Sequence, residues 1–261
     1  MSQTFRQHDI LEIARTEGRV GVEDLARRFD VSVQTIRRDL GDLAAAGRLE
    51  RVHGGAVLPS GVSNIGYEDR RSLHAEEKSA IARCCAEAIP EDVSVFLGIG
   101  TSAEAVALEL LHHRNLMAVT NNINVANILV ANRSCEIVLA GGALRRADGG
   151  LVGPLTMRTI EQFKFDYAVI GCSALDGDGD LLDFDVLEVG VNQTILDRSR
   201  VTCLVADHSK FQRSAPVRIA SLREIDMFFT DRPLGPDLMA ACADWKTAVT
   251  VCAPAEGGEG G

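Results

Sequence analysis

Two short stretches of the chain carry residue types that bind phosphate groups or nucleic acid. The sequence GIGTS at 98–102 follows an apolar run and precedes a run of small residues that favours a helix. Backbone N–H groups and hydroxyls at such a strand-to-helix turn can hold a phosphate. The sequence SVQTIRR at 32–38 offers amide and guanidinium groups for base edges, and hydroxyls for phosphates. The first stretch therefore predicts an anion site, and the second predicts contact with DNA.

The second stretch lies at the start of a predicted helix over residues 33–46. Ser32 is a favourable N-cap for this helix. Ile36, Leu40 and Leu43 follow an i, i+4, i+7 spacing and therefore share one face. The polar residues at the N-terminal end of the helix are left on the opposite side.

Short predicted elements surround this helix. They are helices at 4–17 and 22–29, an extended segment at 19–21, and weakly alternating segments at 48–52 and 56–58 around a Gly-rich turn. The last two segments predict a two-stranded wing. We therefore predict a winged helix-turn-helix DNA-binding domain over residues 1–58, with the helix-turn-helix at about 20–39.

The predicted DNA-reading surface combines the polar side of helix 33–46 with the wing. Gln can pair with adenine and Arg with guanine, while Ser and Thr can reach phosphates. Arginine and histidine in the wing can touch phosphates or the minor groove. The alternative is that the two adjacent arginines only solvate the helix and pair with Asp39 or Asp42. The predicted DNA-binding residues are Ser32, Gln34, Thr35, Arg37, Arg38, Arg48, Arg51 and His53.

Charge is distributed unevenly along the chain. The formal net charge of −10 argues by itself against a nucleic-acid partner. Residues 1–60 nevertheless contain nine arginines and nine acidic residues, so the whole acidic excess lies in residues 61–261. A neutral, arginine-bearing domain joined to an acidic one is typical of a small DNA-reading module on a larger soluble domain.

Cysteine, histidine and hydropathy patterns narrow the class of protein. The seven cysteines lack C-x-x-C spacing and mostly lie in apolar runs, so we expect buried, reduced thiols. The six histidines form no H-x-x-H or H-E-x-x-H array, so we expect no metal site, and we expect no cofactor. No apolar run approaches the roughly 20 residues that span a bilayer, and no signal-peptide pattern is present. We therefore expect a cytoplasmic protein without membrane attachment.

A Pro-, Gly- and Ser-rich segment at 59–72 predicts a linker, the alternative being a long surface loop within one domain. Residues 73–252 then alternate helical and continuously apolar segments, which predicts a mostly parallel sheet buried on both faces. Residues 253–261 predict a disordered tail. The predicted helices are 75–88, 102–111, 123–131, 154–163 and 185–199, and the strands are 93–97, 116–120, 136–140, 167–171, 201–206, about 226–230 and about 248–252.

Polar and Gly-rich residues follow four of the predicted parallel strands. Open α/β sheets bind ligands at the carboxyl ends of their strands, so the four loops predict one effector site. Each loop also has an ordinary interpretation, with the asparagines as helix caps, the aspartate as a turn former and the lysine as a solvated side chain. The predicted effector-binding residues are Gly100, Thr101, Ser102, Asn121, Asn122, Gly141, Gly142, Arg145, Asp207 and Lys210.

Two enzymatic interpretations of these loops have less support in the sequence than the effector-binding one. Gly98, Gly100 and Ala103 match the G-x-G-x-x-A pattern of dinucleotide-binding turns, but the next strand ends in Thr-Asn-Asn, without the acid that would meet a ribose. A sugar-phosphate isomerase needs a base and an electrophile beside the bound carbon. Acidic residues and a lysine are available, but their spacing shows no committed pair. We therefore predict a sensor rather than an enzyme.

The chain resembles a known family throughout these regions. GRVGVEDLARRFDVSVQTIRRDLGDLAAAGRLERVHGGAV is similar to the winged helix-turn-helix of DeoR-type bacterial regulators, and EEKSAIARCCAEAIP, VTNNINVANILV, LAGGALRRADGGLVG and VADHSKF follow in the family's order. The resemblance implies an α/β protein, with an N-terminal winged helix-turn-helix plus a C-terminal, mostly parallel-sheet, sugar-phosphate-isomerase-like sensor domain. It also implies a transcriptional repressor that binds a double-stranded DNA operator and is released by a phosphorylated small molecule. A lone small DNA-binding domain rarely gives enough affinity, so we expect a homodimer or homotetramer.

Within the family, the closer resemblance is to members that control glycerol 3-phosphate metabolism. IGTSAEAVALELLHHRNL and DGDGDLLDFDVLEV carry it, and it implies glycerol 3-phosphate as the favoured inducer. The chain departs from these closer members at Gly98, where they have Asp, and from the family at 190–193, where Gly, Val, Asn and Gln replace a stretch that typically holds Lys and Arg. A lost cation weakens binding of an anion. Another phosphorylated sugar or polyol is therefore the next candidate, and a non-phosphorylated ligand or none comes last.

Overall fold

The computed structural model describes residues 3–17, 19–58 and 66–253. The chain divides into two compact units, with the division between Leu73 and His74. No helix within the described ranges is both long and apolar enough to cross a membrane. The first unit contains α1 Gln3–Glu17, β1 Arg19–Gly21, α2 Val22–Phe29, α3 Val33–Ala45, β2 Glu50–Val52, β3 Gly55–Val57 and α4 Tyr67–Ser72.

Helices α1, α2 and α3 enclose the apolar core of the first unit. Ile36 and Leu40 of α3 are fully buried and Leu43 is nearly so, as their spacing predicts. Ile10 of α1 and Leu25 of α2 join the same core. The predicted winged helix-turn-helix is confirmed, and the recognition helix begins at the predicted residue.

The wing has three strands, whereas two were predicted. Strand β3 pairs antiparallel with both β1 and β2. A Cβ atom at Gly55 would lie 1.9 Å from the carbonyl oxygen of Val20, so glycine is required where β1 approaches β3. A strand of three residues shows no alternation, and this is why the pattern did not reveal the pairing of β1.

Helix α4 corrects the prediction of an irregular linker over 59–72. Residues 59–65 of that segment lie outside the described residues, but 67–72 form a helix. Acidic residues occupy its first turn and arginines its last turn, so both charges complement the helix dipole. Six residues are too few to show a helical apolar period.

The second unit is built around a seven-stranded parallel sheet, as predicted. The strand order is β15-β14-β12-β9-β4-β5-β6, with helices packed on both faces. The chain leaves β4 toward β5 and β6, and later returns to β9, β12, β14 and β15 on the other side. The unit contains α5 Ala75–Ala88, β4 Ser94–Leu97, α6 Thr101–Glu109, β5 Leu116–Thr120, α7 Ile123–Leu129, β6 Cys135–Leu139, β7 Ala143–Arg145, β8 Gly150–Val152, α8 Pro154–Ile160, β9 Phe165–Ile170, β10 Ala174–Leu175, β11 Asp180–Asp183, α9 Val186–Asp197, β12 Ser199–Val205, β13 Val217–Ser221, β14 Met227–Thr230, α10 Pro236–Trp245 and β15 Ala248–Val251.

The order of the strands creates a switch point between β4 and β9. Loops that leave neighbouring strands in opposite directions open a crevice at the carboxyl edge of the sheet, where α/β proteins bind ligands. The loop after β4 holds the GIGTS stretch, and the loop after β12 holds Asp207 and Lys210. Strand β12 is two positions from β4, so the two loops are separated by roughly 10 Å along the sheet edge.

Several short elements were absent from the prediction. The hairpin β7–β8 occupies the Gly-rich stretch, and β10, β11 and β13 form a small antiparallel sheet around the predicted DGDGD turn. Strands of two to five residues with glycine or aspartate at their ends give weak alternation. Helix α10 was also missed, although Pro236 at its start and buried Leu238 and Cys242, four residues apart, are consistent with a helix. Of the predicted tail, 254–261 lie outside the described residues.

Candidate functional site

The turn into α3 is shaped by local hydrogen bonds. Asp30 ends α2 in the left-handed conformation, at φ 50° and ψ 51°. The Ser32 side chain then accepts a hydrogen bond from the Thr35 backbone N–H at 3.1 Å, and the two hydroxyl oxygens are 2.9 Å apart. Ser32 and Thr35 therefore stabilise the N-terminus of the recognition helix.

The predicted DNA-binding residues form one exposed surface. All are exposed except Thr35, which is half-buried. Arg51 of the wing donates a hydrogen bond through Nη1 to the carbonyl oxygen of Arg37 at 3.0 Å, and this bond ties the wing to α3. Both arginines and His53 line an open groove of about 700 Å³. Glu23 and Asp24 also line this groove, so its contact with a phosphate backbone stays a prediction that rests on the arginines.

The acidic residues of α3 do not neutralise Arg37 and Arg38. Asp39 is buried and paired with Arg6 of α1. Asp42 accepts a hydrogen bond from the Gln3 side chain at 2.7 Å. Within the described ranges, no ion pair involves the guanidinium group of Arg37 or of Arg38. Two exposed, uncompensated cations beside the start of the recognition helix are the arrangement that phosphate and guanine contacts require.

In the second unit, the GIGTS loop joins β4 to α6. Gly100 adopts φ 121°, which favours glycine, and its carbonyl oxygen accepts the Glu104 N–H at 3.0 Å to start the helix. Thr101 and Ser102 are half-buried in the first turn. Gly98 donates a backbone hydrogen bond to the Val169 carbonyl at 3.0 Å, and a Cβ there would lie 3.3 Å from the same oxygen. Gly98 therefore lies close against the end of β9.

The two asparagines after β5 play different parts. Asn122 is fully buried and caps α7, since its side-chain oxygen accepts the Asn124 N–H at 2.9 Å. Its amide nitrogen donates to Glu104 at 3.3 Å. Asn121 is 1% exposed and donates to the Leu151 carbonyl at 2.9 Å, while its side-chain oxygen accepts no hydrogen bond. The capping interpretation therefore holds for Asn122 alone.

The Gly-rich hairpin is held to α9 by a network around Arg145. The Arg145 guanidinium contacts Asp148 at 2.7 Å, Asp185 at 2.8 Å and Glu188 at 2.5 Å. Burial and the Asp183 charge raise the pKa of Glu188 to about 7, against the opposing effect of Arg145. Three carboxylates already surround Arg145, so the structure gives it a positioning role, and its contact with an effector stays a prediction.

Gly142 is needed where the hairpin meets α8. A Cβ on Gly142 would lie 2.0 Å from the Thr156 hydroxyl oxygen, whereas Gly141 is exposed and has Leu155 at ordinary contact distance. The Thr156 hydroxyl donates to the Gly141 carbonyl at 2.7 Å. These two glycines therefore shape the loop after β6 through their backbone.

Asp207 and Lys210 lie in a buried, charged cluster after β12. Asp207 is 1% exposed and Lys210 is 8% exposed, so this lysine is not solvated. Burial alone would raise the pKa of Asp207, but the charge of Lys210, the Ser209 hydroxyl and the charges of His74 and Lys78 hold it well below its ordinary value. Asp207 is therefore ionised at neutral pH. Lys78, one turn into α5, is a cation of this cluster that the sequence did not identify.

A buried thiol also lies in this cluster, after β9. Burial raises the pKa of Cys172 to about 12, and Lys210, Asp183, Asp207 and Arg213 are close enough to influence it. The thiol is therefore protonated at neutral pH and unsuited to nucleophilic catalysis. Of all seven cysteines, five are buried and none forms a disulfide.

Comparisons with known proteins decide the family. The sequence profile of the DeoR-like helix-turn-helix domain matches residues 6–62, and that of the DeoR C-terminal sensor domain matches residues 73–232. The chain belongs to the DeoR family. Its recognition helix lies within the first match, and the loops after β4, β5, β6 and β12 lie within the second.

Relatives of this DeoR-family chain are similar over nearly its whole length. The glycerol-3-phosphate regulon repressor of Escherichia coli K12 is 45% identical over 97% of this chain and 100% of its own, and that of Haemophilus influenzae is 44% identical over 97% and 98%. Among solved structures, a D-ribose-5-phosphate isomerase aligns over 52% of this chain and 54% of its own, with 15% identity and a TM-score of 0.40. The Pyrococcus horikoshii OT3 translation initiation factor eIF-2B aligns over 88% and 82%, with 9% identity and a TM-score of 0.49.

Proposed function

We propose that this chain is a transcriptional repressor that binds an operator through α3 and the wing and leaves it when a phosphorylated small molecule binds the second unit. The exposed guanidinium groups of Arg37 and Arg38, without acidic partners among the described residues, carry the first half of the proposal. Two relatives at 44–45% identity are glycerol-3-phosphate regulon repressors, and this supports control of a glycerol 3-phosphate regulon by this chain. Such a repressor acts in the compartment that holds the chromosome.

The carboxyl edge of the sheet suits a phosphorylated polyol. The N-terminus of α6 and the hydroxyls of Thr101 and Ser102 would hold the phosphate. The unsatisfied side-chain oxygen of Asn121 and the ionised Asp207 would accept hydrogen bonds from hydroxyls, and Lys210 would contribute positive charge. We favour glycerol 3-phosphate, with other phosphorylated sugars and polyols next.

Release of DNA requires that the effector bind two conformations of the chain unequally. A ligand with equal affinity for both cannot change operator affinity. We propose that occupation of the GIGTS loop changes the spacing between the DNA-binding domains of an oligomer. Two half-sites one helical turn apart are then no longer contacted together.

Exposed apolar side chains support a homo-oligomer built through the second unit. They lie near the hairpin β7–β8, on β6 and at the starts of α8 and α9, and a second copy of the chain would remove them from water. We expect Leu155→Asp with Leu187→Asp to dissociate the oligomer in sedimentation, and Leu108→Asp, on α6 at the other face of the sheet, to leave it intact. An unchanged mass for the double variant would contradict this interface. The exposed residues are Leu139, Leu144, Leu155, Val186 and Leu187.

Operator binding is tested with DNA selected in vitro against the full chain. We expect Arg37→Ala and Arg38→Ala each to weaken specific binding about 5- to 150-fold, since one bidentate base contact is worth about 1–3 kcal/mol. Arg114→Ala is the control, because Arg114 is an exposed arginine of the second unit that pairs with Glu91 at 3.3 Å. Unchanged footprints for both α3 variants would rule out α3 as the recognition helix.

Effector binding is tested by thermal shift and gel shift with glycerol 3-phosphate and related phosphates. We expect a favoured ligand to raise the melting temperature and release DNA, and Lys210→Ala to reduce both effects. Lys164→Ala is the control, because Lys164 is exposed before the start of β9, at the opposite edge of the sheet. A melting curve unmoved by every phosphorylated ligand would exclude this class of effector.

We also propose that the second unit does not catalyse. Glu188, with a pKa of about 7, has the protonation behaviour of a general base, but Arg145 holds its carboxylate at 2.5 Å. Interconversion of aldose and ketose phosphates by the full chain is the direct assay. Turnover that Glu188→Gln abolishes would favour an enzyme instead.

A further inference from the structure

Three metal-binding side chains converge at the carboxyl end of β12. His74 stands immediately before α5, and Asp207 and His208 follow β12. One ligand atom from each lies within 4.8 Å of the others. Ligands bound about 2.1 Å from a tetrahedral ion stand roughly 3.4 Å apart, so small side-chain rotations would bring all three onto one ion. His74 and Asp207 are 133 residues apart, which is why local spacing predicted no metal site.

The His208 imidazole is oriented by a hydrogen bond at Nδ1, and the His74 imidazole has a carboxylate near the same ring atom. The Nδ1 atom of His208 lies 2.6 Å from Asp231, whose other oxygen accepts the His208 backbone N–H at 2.6 Å. The Nδ1 atom of His74 lies 3.6 Å from Glu77. A carboxylate on one ring nitrogen directs the other, Nε2, to a metal and makes it a stronger ligand.

His74 is held in an unusual backbone conformation. Its φ of 52° and ψ of 42° are left-handed, and its side chain makes no capping hydrogen bond to α5. A non-glycine residue in this region carries a conformational cost, and such residues concentrate at functional sites. The conformation brings the imidazole of His74 to that of His208, with ring centroids 5.2 Å apart.

Asp207 supplies an oxygen that lacks a donor. Its Oδ1 atom accepts hydrogen bonds from the backbone N–H and the hydroxyl of Ser209. Its Oδ2 atom is buried and accepts no hydrogen bond from the described residues. A buried carboxylate oxygen without a donor is costly, and a cation would satisfy it.

We propose that His74, Asp207 and His208 bind one divalent transition-metal ion, Zn²⁺ or a first-row neighbour. Two imidazoles and one carboxylate favour such ions over Mg²⁺ and Ca²⁺, and they leave at least one coordination position for water or a ligand oxygen. Asp231 and Glu77 add negative charge behind the imidazoles, while Lys78 and Lys210 add positive charge near Asp207 and Arg232 lies 3.6 Å from Asp231. This metal site shares Asp207 with the proposed effector site, but its test does not require an effector or an operator.

The test is titration of the tag-free, metal-stripped full chain with Co²⁺, followed by Zn²⁺ competition. We expect one Co²⁺ per chain, visible d–d bands of an open nitrogen–oxygen site, and displacement of Co²⁺ by Zn²⁺. The intense near-ultraviolet band of thiolate ligands should be absent. Failure to bind one equivalent, or a thiolate band, would overturn the proposal, whereas operator binding would be unaffected by either result.

Variants assign the ion to these residues. We expect His74→Gln and His208→Gln each to weaken Co²⁺ binding more than 100-fold, and Asp231→Asn to weaken it about 10–100-fold, as removal of a group that orients a ligand does. His112→Gln, which alters an exposed histidine of the same unit, should bind as the parent does. His74 is half-buried, so we expect its variant to stay folded, whereas His208→Gln also removes the His208–Asp231 contact. Parental affinity in a folded His74→Gln variant would overturn the assignment.

Discussion

Replacement of Asp39 by alanine tests how α3 is held against α1. The Asp39 side chain is 1% exposed and that of Arg6 is 7% exposed, and Arg6 donates a hydrogen bond through Nε to the Asp39 carboxylate. Asp39 lies one turn beyond Ile36, on the buried side of α3. Removal of one partner from a buried pair leaves the other charge uncompensated and costs about 3–5 kcal/mol.

That loss is large for a unit of this size. A folded unit of roughly 70 residues has a free energy of unfolding of about 4–10 kcal/mol. We therefore expect Asp39→Ala to lower hydrogen-exchange protection of α1 and α3 by about 100-fold or more, and to weaken operator binding although Asp39 is buried. Asp42→Ala is the matched control, because Asp42 is exposed on the same helix and accepts a hydrogen bond from Gln3 of the same α1. Its effect should be within about 0.5 kcal/mol.

A double variant separates charge from packing. Arg6→Met combined with Asp39→Leu removes both charges and keeps apolar volume, so it should recover most of the stability lost in Asp39→Ala. The measurement is hydrogen exchange by mass spectrometry on the full chain, with urea unfolding beside it. Equal protection in Asp39→Ala and Asp42→Ala would refute the reasoning. A double variant as unstable as Asp39→Ala would show that the uncompensated charge is not the cause.

Three further measurements test other parts of the structure. Gly190→Ala should raise the free energy of unfolding by about 0.5–1 kcal/mol, because Gly190 is inside α9 and its new Cβ would meet only Met157 Sδ, at 3.5 Å. Gly142→Ala should lower the free energy of unfolding, because its Cβ would lie 2.0 Å from Thr156. Urea unfolding that ranks the two variants in the opposite order would contradict the packing. Burial and Asp183 raise the pKa of Glu188 to about 7, so the folded chain binds a proton at this carboxylate more tightly than the unfolded chain does. The free energy of unfolding that this group contributes should therefore fall as the pH rises from about 4.5 to about 7. Glu188→Gln should flatten this pH dependence in unfolding curves, and an unchanged dependence would exclude the pKa shift. Operator affinity should fall steeply with salt despite the net charge of −10, because phosphate contacts release counterions, and a flat response in gel shifts would contradict direct backbone contact.

The first unit could be predicted well because its signals are local. The Ser32 cap, the spacing of Ile36, Leu40 and Leu43, and the left-handed turn before α3 all act within a few residues, so the recognition helix and its exposed face follow from short-range patterns. The third strand of the wing and helix α4 escaped prediction because elements of three and six residues show no period.

The candidate effector site was predictable only as a set of loops. Continuous apolar strands indicated a parallel sheet, and such a sheet brings its strand ends to one edge. The sequence offered helix capping for both asparagines, but it did not reveal that Asn122 alone is a cap, that three carboxylates surround Arg145, or that Lys210 is buried beside Asp207. Those contacts join segments that are distant along the chain.

The amino-acid sequence by itself therefore determined the family, the recognition helix and the alternation of strands and helices, because capping, apolar period and motif order are properties of neighbouring residues. Only the tertiary structure decided which polar groups meet. It paired Arg6 with Asp39, so that Asp39 does not neutralise the arginines of α3, and it brought His74 to Asp207 and His208. Burial and charge compensation depend on contacts made across the fold, and sequence spacing does not encode those contacts.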